Sequence, residues 1–231
     1  MDIFAIVPAR GGSKRVPRKN IRSVGGKPLI AHTLEQSRRA SEIDRTIVST
    51  DSEEIATVAQ NHGGEVPFMR PAELATDEAS SLDVARHALD WVRSEGHDPD
   101  VLVLLQVTTP LRTVEDIDGA IRTLRDDPDV QSVVSVSEYE TPPHWAVECE
   151  DGYLRPHFDA ETLWGEDVKR SQDVPTLYHP NGCLFAVETE QFDSEATFYT
   201  DQTAAYEMPR DRSLDIDEPF DLEIARALLG E

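Results

Sequence analysis

The sequence has few cysteines and no long apolar run, and each shortage excludes a class of protein. Two cysteines, Cys149 and Cys183, among 231 residues cannot form the disulfide framework of a small secreted domain, so we expect free thiols in the cytoplasm. No apolar stretch approaches the roughly 20 residues of a membrane-spanning helix, so we expect no membrane partner. The N-terminal apolar run is too short for a signal peptide and leads directly into a basic loop.

Lysine is also scarce, whereas acidic residues are abundant. Only four of the 22 basic residues are lysine, against 45 acidic residues and a formal net charge of −23. A lysine-poor surface coated with carboxylates is typical of halophilic cytoplasmic proteins, in which counterions screen the self-repulsion. The same charge argues against binding to nucleic acid or to an anionic membrane.

Strand and helix patterns alternate along most of the chain. Strands are predicted at 3–7, 45–50, 101–105, 132–137 and 182–187, and helices at 52–61, 80–93, 115–125 and 219–229. This alternation predicts an α/β fold with a doubly wound, mostly parallel, Rossmann-like sheet that carries helices on both faces. Ligands bind such a sheet at the carboxyl ends of its strands.

The regular pattern stops between residues 140 and 180. Turn-forming residues are frequent there, and the segment carries Trp145 and Trp164, two of the three tryptophans. It is too long for a plain loop. We therefore predict a single domain over 1–231, in which 140–180 forms a small β-rich dimerisation arm or lid.

The first predicted strand leads into a strongly cationic loop. Its basic residues and the small residues between them are Arg10, Gly11, Gly12, Ser13, Lys14, Arg15, Arg18 and Lys19. Glycines let backbone N–H groups approach an anion, and the cations neutralise its charge. The spacing matches neither the P-loop nor the dinucleotide-binding glycine motif. We interpret the loop as a polyphosphate site, and a solvated basic turn is the alternative.

Near the C-terminus, Asp215 and Asp217 flank Ile216. In an extended segment, residues two apart share a face, so the isoleucine enters the core while both carboxylates project together. Two oxygen ligands suit Mg²⁺, which keeps waters and phosphate oxygens as its other ligands. The alternative is an aspartate-rich surface strand, which is common in so acidic a chain.

Two other polar stretches carry candidate binding residues. A helix cap accounts for Ser80 and Asp83 but leaves Arg70 unexplained, and an arginine could hydrogen-bond the edge of a base. Gln106, at the end of a predicted strand, is a neutral donor and acceptor for a polar ligand. For Gln106 the alternative is a capped turn between strand and helix.

Taken in order, these stretches resemble the CMP-sialic acid synthetases, or N-acylneuraminate cytidylyltransferases. The matching segments cover nearly the whole chain and are 8–14, 17–20, 48–51, 70–77, 105–106, 110–112, 181–182 and 215–217. The resemblance implies that CMP passes from CTP to the anomeric hydroxyl of a nonulosonic acid and that pyrophosphate is released. It also implies Mg²⁺ or Mn²⁺ as cofactor and a homodimer.

The resemblance also implies roles for individual residues. The implied catalytic residues are Arg10, Lys14, Lys19, Asp215 and Asp217, of which the two aspartates would bind the metal. The implied nucleotide-binding residues are Arg10, Gly11, Gly12, Ser13, Lys14, Lys19, Asn20, Arg70, Ala79 and Ser81. The implied sugar-binding residues are Gln106, Arg170, Tyr178, Asn181 and Phe185.

The departures from the family pattern all lie on the sugar side. Phe185 stands where sialate enzymes have tyrosine. Arg170 lies one position earlier than the arginine in the family's Arg-x-x-Leu-Pro stretch, and Trp145 replaces a lysine that can contact the sugar carboxylate from the partner subunit. The expected sugar is therefore legionaminic acid, pseudaminic acid or another relative of N-acetylneuraminate. A cytidylyltransferase for a KDO-like acid and a non-catalytic nucleotide-sugar binding module are the alternatives. Binding alone rarely needs Lys19 together with both aspartates, which argues against the module.

The acidic surface predicts that added salt stabilises the fold. Raising KCl from about 0.1 M to about 2 M should increase the midpoint of thermal unfolding by about 5 °C or more, because counterions screen carboxylate repulsion. Circular dichroism measures this midpoint. A chain at least as stable in dilute buffer as in molar KCl would contradict the halophilic interpretation.

Overall fold

A computed structural model describes residues 1–158 and 173–230. The chain divides into two compact units, Met1–Val136 with Asn181–Glu231 and Ser137–Pro180. Both cysteines are free thiols, Cys183 buried and Cys149 exposed. Among the described residues, no helix combines the length and the apolar character that crossing a bilayer requires.

The first unit is built on a mixed sheet. The strands of the chain are β1 Ile3–Pro8, β2 Ser23–Val24, β3 Lys27–Pro28, β4 Arg45–Ser49, β5 Val101–Leu104, β6 Ser132–Glu138, β7 Val147–Glu150, β8 Tyr153–Pro156, β9 Tyr178–Glu188 and β10 Thr203–Glu207. Within the described part of the chain, six of them form one sheet in the order β10-β6-β9-β5-β1-β4. The pairs β1–β4, β1–β5 and β6–β10 are parallel, and β5–β9 is antiparallel. The predicted mostly parallel α/β sheet is confirmed.

Helices pack on both faces of this sheet. Those described are α1 Leu29–Arg39, α2 Glu53–Asn61, α3 Ser81–Ser94, α4 Val114–Asp126, α5 Thr189–Glu195 and α6 Pro219–Leu228. The side chains of strand β1 pack against both helical layers. Ala5 and Val7 belong to the core cluster that contains α1 and α4 residues. Phe4 and Ile6 join the cluster that contains α3 residues and Phe192 of α5. Because successive side chains of a strand point to opposite faces, alternate residues of β1 enter the cores on the two sides of the sheet.

The predicted helix starts agree with the observed caps. Ser80 and Asp83 form a capping box at the start of α3, and the Ser52 hydroxyl accepts a hydrogen bond from Ile55 N at 3.4 Å at the start of α2. Each cap satisfies backbone N–H groups that the first helical turn leaves without a partner. Helices α1 and α5 and strand β10 were not predicted.

Arg112 is the most deeply buried cation of the first unit, with 1 % of its surface exposed. Its guanidinium donates to Thr109 Oγ1 at 3.1 Å, Thr33 Oγ1 at 3.2 Å and Gln36 Oε1 at 3.1 Å. It also donates to the Cys183 carbonyl oxygen. Burial lowers the pKa of Arg112 to about 10. This one side chain therefore joins the turn after β5 to α1 and to β9.

The second unit contains the hairpin of β7 and β8, which are antiparallel. Its turn uses Asp151 and Gly152, both with positive φ. Tyr153, Leu154 and Phe158 expose between 58 % and 70 % of their surface. The segment predicted as an arm, 140–180, falls within this unit, and its role in dimer contact stays a prediction.

Replacing Arg112 by methionine should lower the free energy of unfolding by about 2–4 kcal/mol, because several buried acceptors would lose their donor. Urea denaturation followed by circular dichroism measures the change. Arg39→Met is the matched control on exposed surface of α1, and it should cost less than about 0.5 kcal/mol. Equal effects of the two substitutions would contradict the role given to Arg112.

Candidate active site

The site is a cavity of about 590 Å³ in the first unit. It lies where β1 and β5 end, because Pro8 of β1 and Gln106, just beyond β5, both line it. This is the position at which an open α/β sheet binds its ligands. The cavity wall also includes the loop after β1, the start of α3 and Asp217.

Four of the five loop cations line the cavity, namely Arg10, Lys14, Arg15 and Lys19. Arg18 instead forms an ion pair with Glu54 and has a left-handed backbone with φ of 59°. The loop therefore directs most of its positive charge toward one space. Arg18 is the exception, because its backbone conformation turns at that point and α2 offers a carboxylate.

Lys19 connects this loop to the acidic segment near the C-terminus. Its ammonium nitrogen lies 2.6 Å from the Ile216 carbonyl oxygen and 3.2 Å from Asp217 Oδ1. Only 14 % of the Lys19 side chain is exposed. Arg15 approaches the other oxygen of Asp217 at 3.8 Å. The cations and Asp217, which are far apart in sequence, therefore border the same cavity, whereas Asp215 does not belong to its lining.

The acidic segment has the predicted alternation. Ile216 is fully buried, and its N–H donates to the Thr108 carbonyl at 2.8 Å. Asp221 accepts the N–H groups of Asp217 at 2.9 Å and Glu218 at 2.7 Å. Three consecutive backbone N–H groups, those of residues 216–218, thus hold the segment in place, although it pairs with no strand of the described sheet.

Asp215 is the more buried of the two acids. Burial raises the pKa of its carboxyl group above the usual value, a hydrogen bond from Thr108 opposes the rise, and the nearby Asp217 charge adds to it. Its buried Oδ1 has no hydrogen-bond partner among the described residues. Leaving a buried carboxylate oxygen without a partner is costly, so a cation bound at this oxygen would be stabilising.

The donor set fits Mg²⁺ or Mn²⁺ held partly by substrate. The described residues contain no group of three His, Cys, Asp or Glu side chains that could hold a metal. Mg²⁺ needs only one or two carboxylates, because phosphate oxygens and waters complete its octahedron. Asp215 with its unpartnered oxygen, and Asp217 at the cavity wall, are the residues that could supply them.

The residues assigned to the base also belong to the cavity wall. Arg70, Ala79 and Ser81 all line the cavity. Arg70 is buried, donates to Ser49 Oγ at 3.0 Å and to the Leu74 carbonyl at 3.4 Å, and has its pKa lowered to about 10 by that burial. The Ala79 N–H donates to Thr76 Oγ1 at 3.2 Å. Some of the donors of Arg70 and Ala79 that were predicted to bind cytosine therefore already make hydrogen bonds within the protein.

The remaining loop residues differ in placement. Ser13 and Asn20 line the cavity, and the Asn20 amide donates to the Arg10 carbonyl at 2.9 Å. Asn20 thereby closes the loop. Gly11 donates its N–H to Asp51 Oδ1 at 2.8 Å, and neither Gly11 nor Gly12 belongs to the cavity lining. Their predicted contacts with the nucleotide stay predictions.

On the sugar side, Gln106 and Asp215 face each other across Gly182. The Gln106 Oε1 accepts from Thr108 Oγ1 at 3.4 Å. A Cβ on Gly182 would lie 3.3 Å from Gln106 Oε1 and 3.5 Å from Asp215 Oδ2, and its φ is +73°. The backbone conformation therefore favours glycine here, and a Cβ would also be in tight contact with Gln106 Oε1.

The other residues assigned to the sugar are not part of the cavity lining or fall outside the described residues. Asn181 accepts from Ser135 Oγ at 2.7 Å and donates to Ser213 Oγ at 3.0 Å. Phe185 packs against the Phe198 ring at 5.9 Å. Tyr178 belongs to the second unit and is exposed. Arg170 lies outside the described residues.

Sequence reasoning gave no role to Asp77 and Thr108, both of which line the cavity. Asp77 pairs with Arg10 at 2.9 Å and with Lys14, whereas Thr108 contacts both Gln106 and the acidic segment. No spacing in the sequence indicates which acid meets which cation. The only sequence feature that indicated a role for Asp77 is its position in 70–77, one of the segments that match the family.

Comparison with known proteins gives the same classification across nearly the whole length. The family model for cytidylyltransferases matches residues 4–229. N-acylneuraminate cytidylyltransferase of Escherichia coli is 35 % identical over 96 % of this chain and 51 % of its own. CMP-N,N'-diacetyllegionaminic acid synthase of Legionella pneumophila is 33 % identical over 99 % of this chain and 97 % of its own. Pseudaminic acid cytidylyltransferase of Campylobacter jejuni is 31 % identical, with coverages of 99 % and 96 %.

Two further facts define the extent of the likeness. The chain spans about half the length of the N-acylneuraminate cytidylyltransferases that it matches. A solved CMP-2-keto-3-deoxy-manno-octonic acid synthetase complexed with CTP has the same fold, with a TM-score of 0.72 at 19 % identity over 99 % of this chain and 98 % of the other. By its sequence, this chain belongs to the cytidylyltransferase family, alongside the CMP-nonulosonic acid synthetases that it resembles.

Proposed function

We propose that this chain transfers CMP from CTP to the anomeric hydroxyl of a nonulosonic acid and releases pyrophosphate, with Mg²⁺ or Mn²⁺ as cofactor. The contact of Lys19 with Asp217 and the Ile216 carbonyl carries the proposal. It sets Lys19, a proposed phosphate ligand, beside Asp217, a proposed metal ligand, at one cavity. A triphosphate with its metal needs both kinds of group at the same place.

In the proposed reaction the anomeric oxygen attacks the α-phosphorus in line. A bond forms between these two atoms as the bond from the α-phosphorus to the bridging oxygen of pyrophosphate breaks, and the proton of the anomeric hydroxyl passes to solvent. Arg10, Lys14 and Lys19 neutralise the negative charge of the phosphates and hold them in line. The metal, held by Asp215 and Asp217, would supply further charge neutralisation on the phosphate oxygens.

The base and the sugar are proposed to bind different residues of the cavity wall. Arg70, the Ala79 backbone and Ser81 would recognise cytosine, with Asn20 beside the reacting phosphate. Gln106 would hold the sugar, and the sugar-binding roles of Asn181, Phe185, Tyr178 and Arg170 rest on the family resemblance alone. Because Phe185 lacks the phenolic hydroxyl typical of sialate enzymes, we favour legionaminic or pseudaminic acid as the substrate. The full-length matches to synthetases of these two sugars support that choice.

A cytoplasmic homodimer is part of the proposal. The second unit exposes Tyr153, Leu154 and Phe158, and apolar side chains concentrated on a small unit are typical of an interaction surface. A second copy of the chain is the proposed partner, without nucleic acid or membrane. Free thiols at both cysteines are compatible with a reducing compartment.

The decisive experiment measures pyrophosphate release from CTP and Mg²⁺ on addition of legionaminic, pseudaminic, N-acetylneuraminic or KDO acid. We expect release with one of the first three, and a Lys19→Ala variant should lose at least about 100-fold in rate, because it lacks a cation at the phosphates. Lys27→Ala, which removes a lysine paired with Glu35, is the matched control and should stay near wild type. Release only with KDO would favour that alternative, and binding without release would favour the module.

Asp217→Asn should raise the Mg²⁺ concentration needed for half-maximal rate by at least about tenfold, because one carboxylate ligand loses its charge. Metal titration of the initial rate measures it. Asp211→Asn removes a charge from another exposed aspartate and should leave the titration unchanged. A metal requirement equal to that of wild type in Asp217→Asn would remove the metal assignment.

A further inference from the structure

One acid of the cavity wall has no place in the reaction as proposed. Asp77 directs one carboxylate oxygen to Arg10 Nη1 at 2.9 Å and the other to the Lys14 ammonium. Both cations are among those assigned to the triphosphate. The carboxylate therefore makes, within the protein, the kind of contact that a phosphate group would make with the same two side chains.

The surroundings of Asp77 show that the loop does not depend on it for shape. Arg10 Nη1 also donates to the Thr76 carbonyl at 3.0 Å, so it keeps a partner when the carboxylate is absent. The Lys14 side chain is 77 % exposed and that of Asp77 is 46 % exposed. Neither group is buried against a wall that fixes it. Ion pairs in such exposed positions are weak and exchange readily.

The charge of Asp77 persists under ordinary conditions. The hydrogen bond from Lys14, with the nearby charges of Lys14 and Arg10, lowers the pKa of the Asp77 carboxyl below its usual value. The group is thus an anion at neutral pH. Any phosphate entering the cavity must either displace it from these two cations or share them with a negative charge.

We propose that Asp77 is an exchangeable counter-anion, which holds Arg10 and Lys14 while the cavity is empty and gives them up to the triphosphate. It returns to both cations as pyrophosphate leaves, and so shortens the stay of the product. The inference rests on the proposed function, because it needs a polyphosphate as the competing anion. Its measurable consequence is that wild-type protein binds polyphosphate more weakly than protein lacking this charge.

The test compares the binding of inorganic pyrophosphate and of CTP to wild type and to Asp77→Asn by isothermal titration calorimetry at fixed Mg²⁺. Asparagine keeps the size of the side chain and removes its charge. We expect the Kd for pyrophosphate to fall about three- to tenfold, in line with the loss of two exposed competing ion pairs. The dissociation rate in stopped flow should fall by a similar factor, while the Kd for cytidine, which has no phosphate, should not change.

Glu78→Gln is the matched control. Glu78 is the exposed neighbour of Asp77 and forms no ion pair among the residues that the structure describes. Its replacement removes the same charge one position away. We expect a change in the Kd for pyrophosphate of less than about twofold, since exposed charges that make no contact are screened.

The outcomes separate this inference from the function on which it rests. If both proteins bind pyrophosphate but Asp77→Asn binds it equally or more weakly, Asp77 positions the cations and the inference is wrong while the proposed function stands. If Glu78→Gln lowers the Kd for pyrophosphate as much as Asp77→Asn does, the inference is also wrong. The effect would then come from the net charge of the protein and not from the contacts of Asp77. If neither protein binds pyrophosphate or CTP, the proposed function and the inference fall together.

Discussion

The contact of Lys19 with Asp217 and the Ile216 carbonyl is the constraint on which the site depends. It spans 198 positions of sequence, and it sets a cationic loop against an acidic segment in a chain of formal net charge −23. Without that contact, the loop would be a solvated basic turn and the two aspartates part of a general acidic surface. With it, opposite charges line one cavity, which is the arrangement that a metal-bound polyphosphate requires.

A second constraint sets the distance between the sugar side and the acidic pair. Arg112 joins the turn after β5 to the Cys183 carbonyl of β9, so the residue before Cys183 is brought against the end of β5. That residue is Gly182, whose missing side chain leaves room for Gln106 and Asp215. A buried cation thus helps to set how closely the side chains of Gln106 and Asp215 approach each other.

Much of the fold could be predicted, because its strands are short apolar runs and its helices begin at recognisable caps. Strands β1, β4, β5 and β6 and helices α2, α3, α4 and α6 lie within a few residues of the predicted positions. Strand β10 was missed because Thr203–Glu207 has little apolar pattern and is stabilised by pairing with β6. The placement of Asn181 and Phe185 could not be predicted either, since their partners come from distant parts of the chain.

The sequence by itself determined the chemistry available: which loop is cationic, which two aspartates share a face, and which family pattern they follow. These are local properties, because composition, two-residue alternation and motif order need no knowledge of distant contacts. The tertiary structure alone decided the pairing of charges. It turned Arg18 toward Glu54, gave Arg10 and Lys14 to Asp77, and placed Lys19 on Asp217. Such pairings depend on which strand ends meet at the sheet edge, and that is a property of the whole fold.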